Sequence, residues 1–485
     1  MNFCKDVFTN QLRRKICIIL LKMMKRTISP WLIYMEVFMG ENNKMGTAPM
    51  LKLIISMSLP AMFSMLIQAL YNIVDSMFVA QLGEGALTAV SLAFPVQTLI
   101  ISVAVGTGIG INSLVSRRLG EKKQEEANSA ATHGIILGLF SGIIFAILGF
   151  LFTRPFFQAF SDNKAIIDMG YSYTIIVTVL SFGAFIQINV EKALQATGNM
   201  IYPMIFQLVG AITNIILDPI MIFGLFGFPR LEVLGAALAT VIGQILAMSL
   251  SLYVIFKKSH KVHVTFKKFK INFKTIKDIY AVGLPSMIMQ SIASVLIVGL
   301  NSILIAFSDA AVSVLGVYYK LQSFVFMPVF GLTQGVMPIM GYNFGAKNKH
   351  RLLSALKIGS VLAIIIMLSG TILFMSIPDK LLMLFNASEQ MLELGTKALR
   401  TISLCFVPAA LGIMFSTLFQ ALGQGRKSLY ISILRQLIII LPVAYLLSKI
   451  GLNYVWYAFP IAEIFSFAVS TLFLSMIYKN TIKDL

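Results

Sequence analysis

Apolar residues in this chain run in long unbroken stretches instead of alternating with polar ones. No charged residue falls between Ile135 and Phe152, and only Lys357 falls between Leu352 and Ile377. A helix needs about 20 mostly apolar residues to cross the hydrocarbon core of a bilayer. Continuous runs favour helices over a barrel, because every backbone amide must be bonded inside lipid. Hydrophobic runs and loop chemistry together predict about twelve spans. They fall near 51–80, 88–116, 130–152, 167–190, 199–224, 234–256, 279–307, 312–341, 352–377, 391–417, 427–448 and 453–477. Several exceed a straight crossing, which tilt accommodates.

The pattern repeats. Pro285 follows Pro60 by 225 positions, and the same interval separates Gly110 from Gly335, Gly120 from Gly345, and Gly198 from Gly423. Leu194-Gln195-Ala196-Thr197-Gly198 faces Phe419-Gln420-Ala421-Leu422-Gly423, and Arg118-Leu119-Gly120-Glu121-Lys122 faces Asn343-Phe344-Gly345-Ala346-Lys347. The chain therefore reads as all-α and integral to a membrane, with two homologous six-helix lobes, 51–256 and 279–477. A basic linker, 257–278, joins them, and a short tail, 478–485, follows. Six is even, so both copies enter from one side and the repeats are parallel, about an axis along the membrane normal.

Charge then sets the orientation. Arg117, Arg118, Lys122 and Lys123 follow span 2, and lysines 257, 258, 261, 267, 268, 270, 274 and 277 follow span 6. Lys347, Lys349 and Arg351 follow span 8, and Arg426 and Lys427 follow span 10. The alternate loops are poor in lysine and arginine, which places both termini in the cytoplasm and the chain in the cell membrane. A composition of 58% hydrophobic and 12% charged residues fits lipid as the main solvent, since soluble domains carry about 25% charged residues. The net charge of +19 sits in these short loops, with no nucleic-acid module beside it. Cys4, Cys17 and Cys405 are too scattered for a disulfide framework or a zinc site. Residues 1–50 form an extension whose apolar run, Ile16 to Leu21, is too short to span and has no cleavage site. Two readings compete, an amphipathic cytoplasmic extension or a true start near Met39, Met45 or Met50, and the second is favoured.

Ionisable residues at membrane depth are costly and mark function by default. Asp75 and Asp218 are the two clear cases in the first half. Each lies about six residues before the outer end of its span, roughly 9 Å at the helical rise. Gln68, Asn72 and Asp75 share one face of span 1, with Tyr71 a turn before Asp75; Gln207, Asn214 and Asp218 share one face of span 5. Two neighbouring carboxylates in low dielectric favour a shared proton or a bound cation. Asn and Thr oxygens nearby could help such a pair hold Na⁺, so Asp75 and Asp218 form the candidate coupling-ion site. The alternative is a structural role, capping hydrogen bonds between helices. The positions 225 further on are Leu300 and Val443, so this ion chemistry belongs to the first half. The second-half spans hold Lys320, Lys397, Arg400, Arg435 and Glu463; Glu463 is read as pairing with Arg435, with cation contact as its minor alternative. Gly106-Thr107-Gly108-Ile109-Gly110 lies inside a span and reads as close helix packing, and no Walker motif points to ATP. No nucleophile–base pair or metal cluster at motif spacing suggests an enzyme.

With these residues in place the chain resembles the multidrug and toxic compound extrusion (MATE) transporters over nearly all of 51–477. The resemblance rests on the repeat, on Pro60, Tyr71 and Asp75, on Gly120 and its basic loop, on Gln195-Ala196-Thr197-Gly198-Asn199, and on Asn214 with Asp218-Pro219. Within that family the chain is most similar to the MepA-type multidrug export proteins. The resemblance implies a V-shaped pair of lobes around a cleft. It implies a coupling-ion site of Asp75, Asn214 and Asp218 with Thr240 as fourth ligand, Tyr71 and Tyr173 in the surrounding network, and a bend at Pro60. The expected activity is export of amphipathic, often cationic drugs in exchange for inward H⁺ or Na⁺, with no other cofactor. Expected partners are those small molecules and membrane lipid, with no nucleic acid, and the chain is expected to act as a monomer. A lipid-linked oligosaccharide flippase of the same superfamily, or a non-transporting sensor or anchor, are the alternatives.

Overall fold

The computed structural model describes residues 44–485 except Ser259, Lys268 and Asn386. The extension before residue 44, and Lys268 of the basic linker, lie outside the described residues. Ten helices are long and apolar enough to cross a membrane, and two bent pairs bring the number to twelve. Spans 1 to 3 are Met50–Ala80, Glu84–Gly120 and Gln124–Phe160. Span 4 is broken into Lys164–Val179 and Phe182–Ala196, and spans 5 and 6 are Ile201–Phe223 and Glu232–Lys257. Spans 7 to 9 are Phe273–Leu304, Asp309–Gly345 and Lys349–Ser376. Span 10 is broken into Glu389–Ser403 and Phe406–Ala421, and spans 11 and 12 are Gly425–Ser448 and Leu452–Ile482.

Most ends fall within a few residues of the hydropathy reading, and span 4 departs in a way that matters. The expected end at 190 treats Glu191 and Lys192 as charges leaving the membrane. The helix instead continues to Ala196 and buries both side chains, at 2% and 6% exposure. Span 3 also starts earlier, at Gln124 instead of 130, because its polar first turns stand clear of the apolar run.

The repeat is visible in backbone detail. Span 4 bends by 44° after Val179 and span 10 by 47° after Ser403. Lys122 and Lys347 both hold a left-handed turn, at φ 60° and 54°, and Gly198 and Gly423 do so at 88° and 81°. Each pair is 225 residues apart. A left-handed residue is least strained as glycine, which accounts for the glycines after spans 4 and 10.

The lobes join at the end that carries the basic loops. A side chain at Gly120 would strike the carbonyl of Tyr342, and one at Gly345 would strike the carbonyl of Arg117. Likewise Gly106 packs on Met287 and Gly331 packs on Met62. Both relations are symmetric under the 225-residue shift, so the same contact is made twice about the pseudo-two-fold axis. Small residues let helix backbones approach where lipid offers no hydrophobic drive to association. Arg118 fastens this end further, with carboxylates of Glu121 at 2.7 Å, Glu126 at 2.9 Å and Asp278 at 3.5 Å.

Spans 1 and 7 each belong to both lobes. Leu53, Ile54 and Met57, near the basic end of span 1, lie in the core of the second lobe. Phe78 and Val79, at its opposite end, lie in the core of the first. Span 7 mirrors this: Ile279 packs in the first lobe, while Leu296, Leu300 and Leu304 pack in the second. Pro60 sits within span 1 between these two environments, buried and without an amide to donate. Ahead of span 1, the backbone carbonyl of Met45 accepts from Asn343 and Arg351, and that of Ala48 accepts from Arg351.

Candidate functional site

Spans 1, 5 and 6 bring the predicted polar residues together in the half of the first lobe away from the basic end. Asp218 is fully buried and Asn214 is 2% exposed. One helical turn separates them, so Asn214 Nδ2 donates to Asp218 Oδ1 at 3.1 Å. The same amide lies 3.2 Å from Thr240 Oγ1 across the contact with span 6. That contact is close because Gly243 packs against the backbone of Gly210. Asp75 arrives from span 1, and its carboxyl lies within hydrogen-bonding reach of that of Asp218. Tyr71 and Tyr173 are within electrostatic reach of both acids. Tyr173 is 1% exposed, and its hydroxyl is held by Gln97 Nε2 at 2.5 Å. Gln97 went unmarked in the sequence because no polar residue lies three or four positions from it in span 2, so it forms no stripe.

Three oxygens in this group are buried and accept no hydrogen bond among the described residues: Asp75 Oδ1, Asp218 Oδ2 and Asn214 Oδ1. Orphaned buried acceptors are costly. They suit a proton between the carboxyls, or a hard cation, which takes oxygen ligands. Other members of the predicted stripes stand apart. Asn72 is exposed, Gln68 is half-buried, and Pro60 lies four turns from Asp75 along span 1.

Gln207 leaves the aspartates altogether. Its amide reaches Glu191, at 3.2 Å from Oε1 and 3.3 Å from Oε2. Glu191 opens a second buried polar group that hydropathy placed outside the membrane. Lys192 Nζ lies 3.9 Å from Glu191 Oε1, donates to Gln195 Oε1 at 3.0 Å, and donates to Gln334 Oε1 of span 8 at 2.8 Å. Gln195 in turn donates to Glu191 at 3.0 Å and to Gln334 at 3.2 Å. The cluster bridges the two lobes, and the span 5 stripe runs from it to Asn214 and Asp218. The repeat held a signal for it: span 10 reaches 417, and the matching position of span 4 is 192.

The second lobe carries nothing acidic where the first has its aspartates. Leu300 is buried in the apolar core, and Val443 packs against it. Its charged pair lies elsewhere, with Arg435 Nη1 3.2 Å from Glu463 Oε2, as the sequence suggests. Lys397 pairs with Glu393 at 3.2 Å on an exposed turn, and Arg400 bonds the carbonyl of Met375.

Comparison with known proteins places this geometry. The MatE family model matches twice, over residues 60–220 and 285–446, one match in each lobe. A FAD transporter of Shewanella oneidensis is 27% identical over 433 residues, covering 88% of this chain and 94% of that protein. The multidrug export protein MepA of Staphylococcus aureus is 27% identical over 418 residues, covering 86% and 91%. Among solved structures, an outward-facing multidrug resistance MATE transporter of the MOP superfamily aligns with a TM-score of 0.86 at 28% identity, covering 92% of this chain and 99% of that one. A MOP superfamily transporter from Pyrococcus furiosus, described as having a binding pocket of reversed polarity, aligns equally well at 0.86. Twelve spans in two lobes and a family match across both halves leave one assignment: the chain belongs to the MatE family and is a multi-pass membrane transporter.

Proposed function

We propose that this transporter is a secondary active exporter that exchanges amphipathic, often cationic drugs for inward-moving H⁺ or Na⁺, with Asp75, Asn214, Asp218 and Thr240 holding the coupling ion. The observation that carries this reading is the pair of carboxyls in reach of each other, each with one orphaned oxygen and with the orphaned amide oxygen of Asn214 beside them, away from the joined end of the lobes. Binding of a cation or proton there neutralises the pair and changes how span 1 packs on spans 5 and 6. Span 1 passes through Pro60 into the core of the other lobe, so that change is transmitted to the lobe interface. Gln97 holds the hydroxyl of Tyr173, and Tyr173 and Tyr71 lie within electrostatic reach of both acids. The likeness to MepA proteins supports a drug cargo. The likeness to a FAD transporter supports including a dinucleotide among the cargoes tested.

The energetics bound the exchange. Swapping one monovalent cation for one H⁺ moves no net charge, so the pH gradient alone drives it, at about 1.4 kcal/mol per unit. A second ion per cycle adds about 2.3 kcal/mol per 100 mV of membrane potential. The direct test is ethidium efflux from proteoliposomes under separately imposed pH and sodium gradients, with wild type and Asp218→Asn. Efflux under one gradient, lost in the variant, establishes the exchange and names the ion. Efflux under neither refutes drug export, and FAD efflux in the same vesicles then tests the other cargo.

A further inference from the structure

The ion pair of the second lobe lies within its spans, with Glu463 buried and Arg435 beside it. Arg435 is near the middle of span 11, ten residues from Gly425 and thirteen from Ser448. Its matching position in span 5 is Gly210, which lies on the same helical face as Gln207, Asn214 and Asp218. Arg435 therefore occupies the face that points into the lobe's interior and not toward lipid. Its side chain is nonetheless 30% exposed, against 7% for Glu463. An arginine at this depth is tolerated only toward protein or a water-filled cavity. A partly exposed arginine at this depth therefore calls for a polar or water-filled space beside it.

Among the described residues the Arg435 guanidinium makes one hydrogen bond with its five donors, Nη1 to Glu463 Oε2. Around it stand two buried oxygens with no hydrogen-bond partner among the described residues, Glu463 Oε1 and the hydroxyl of Tyr319. Tyr319 lies within electrostatic reach of the guanidinium. Span 11 also loosens at this point into a π-helical stretch, Leu434–Ile440. Such stretches are uncommon and gather at functional sites. A purely structural pair would have its donors satisfied, because breaking or half-satisfying a buried network is costly.

We propose that Arg435 is a substrate-binding residue whose guanidinium receives the carboxylate of zwitterionic amphiphilic substrates, with Glu463 holding it in place when the cleft is empty. This deepens the drug-export reading and rests on it for the identity of the cargo. A guanidinium offers two parallel donors to a carboxylate, and a hydrophobic cleft rejects a charged group that finds no such partner. The two lobes then divide the work. The first neutralises a cation, and the second accepts the anionic end of the cargo.

The test uses two dyes that differ only at the group in question: rhodamine 110, with a free carboxylate, and its methyl ester, rhodamine 123. Binding of each to the purified full-length protein is followed by fluorescence anisotropy. Arg435→Gln is expected to weaken rhodamine 110 about tenfold, the size of a charge-assisted hydrogen bond, and rhodamine 123 less than about twofold. Glu463→Gln is expected to act in the opposite direction, tightening rhodamine 110 by freeing the guanidinium, and it keeps the proposal testable should Arg435→Gln fold poorly. A structural ion pair would make the two substitutions act alike on both dyes, and that result overturns the proposal. So does a wild type whose rhodamine 110 affinity is untouched by either change. Efflux of rhodamine 123 from wild-type proteoliposomes is measured in parallel. Its absence refutes drug export, while a carboxylate-selective loss of binding in Arg435→Gln still supports the site.

Discussion

The two lobes share a backbone and differ in chemistry. Spans 4 and 10 bend at matching positions, the same left-handed turns recur 225 residues apart, and Gly120 and Gly345 make one contact twice. At the positions where the first lobe has Asp75 and Asp218, the second has Leu300 and Val443. Where the first has Gly210, allowing spans 5 and 6 to touch through backbone, the second has Arg435 paired to Glu463. Packing of helices depends on a few small residues and turns, which duplication preserved. Polar chemistry depends on single side chains, and these diverged. A duplicated scaffold thereby holds an acidic group in one lobe and an arginine–glutamate pair in the other.

The sharpest way to break this asymmetry is to move it. Asp218→Asn is expected to reduce gradient-driven efflux to the leak of protein-free vesicles, and adding Val443→Asp to that variant is expected to restore none of it. Recovery of efflux in the double variant would mean that either lobe can host the ion, contrary to the comparison. The next largest effect concerns the cluster built on Glu191 and Lys192 of span 4, whose matching positions in the second lobe are Ser416 and Thr417. Lys192→Ala strands the buried Glu191 carboxylate and is expected to cost about 3 kcal/mol, read as a lower Tm in detergent. Glu191→Gln with Lys192→Met is expected to recover most of that loss, because the uncompensated charge is gone.

The shared scaffold makes a different demand. Gly120→Ala and Gly345→Ala each force a methyl against a backbone carbonyl, and each is expected to cost about 1–3 kcal/mol. Their Tm shifts are expected to match, since the two contacts are copies of one another. A large inequality would show that the pseudo-symmetry of the joined end is not energetic. The smallest effect is expected from Thr240→Val, which leaves Asn214 bonded to Asp218 and removes one acceptor. About 1 kcal/mol, or roughly fivefold in the ion concentration for half-maximal efflux, is the expected scale.

Hydropathy and the 225-residue interval carried most of the fold, because lipid demands long apolar helices and a duplicated chain repeats its turns. The aspartates were legible for the same reason, since a charge inside a span stands out. Glu191 and Lys192 were not, because adjacent charges at the edge of an apolar run look like the end of a span. Burial is possible there only because Gln195, Gln207 and Gln334 satisfy them, and those three residues come from spans 4, 5 and 8.

The sequence by itself determined the number of spans, the duplication and the residues able to carry ion chemistry. The tertiary structure decided which of those residues meet. It joined Asp75 to Asp218 across 143 positions of chain, sent Gln207 to Glu191, and placed one half of span 1 in each lobe. Hydrophobicity acts residue by residue and can be read along the chain, whereas a shared proton or a buried ion pair requires distances of a few ångströms that only packing sets.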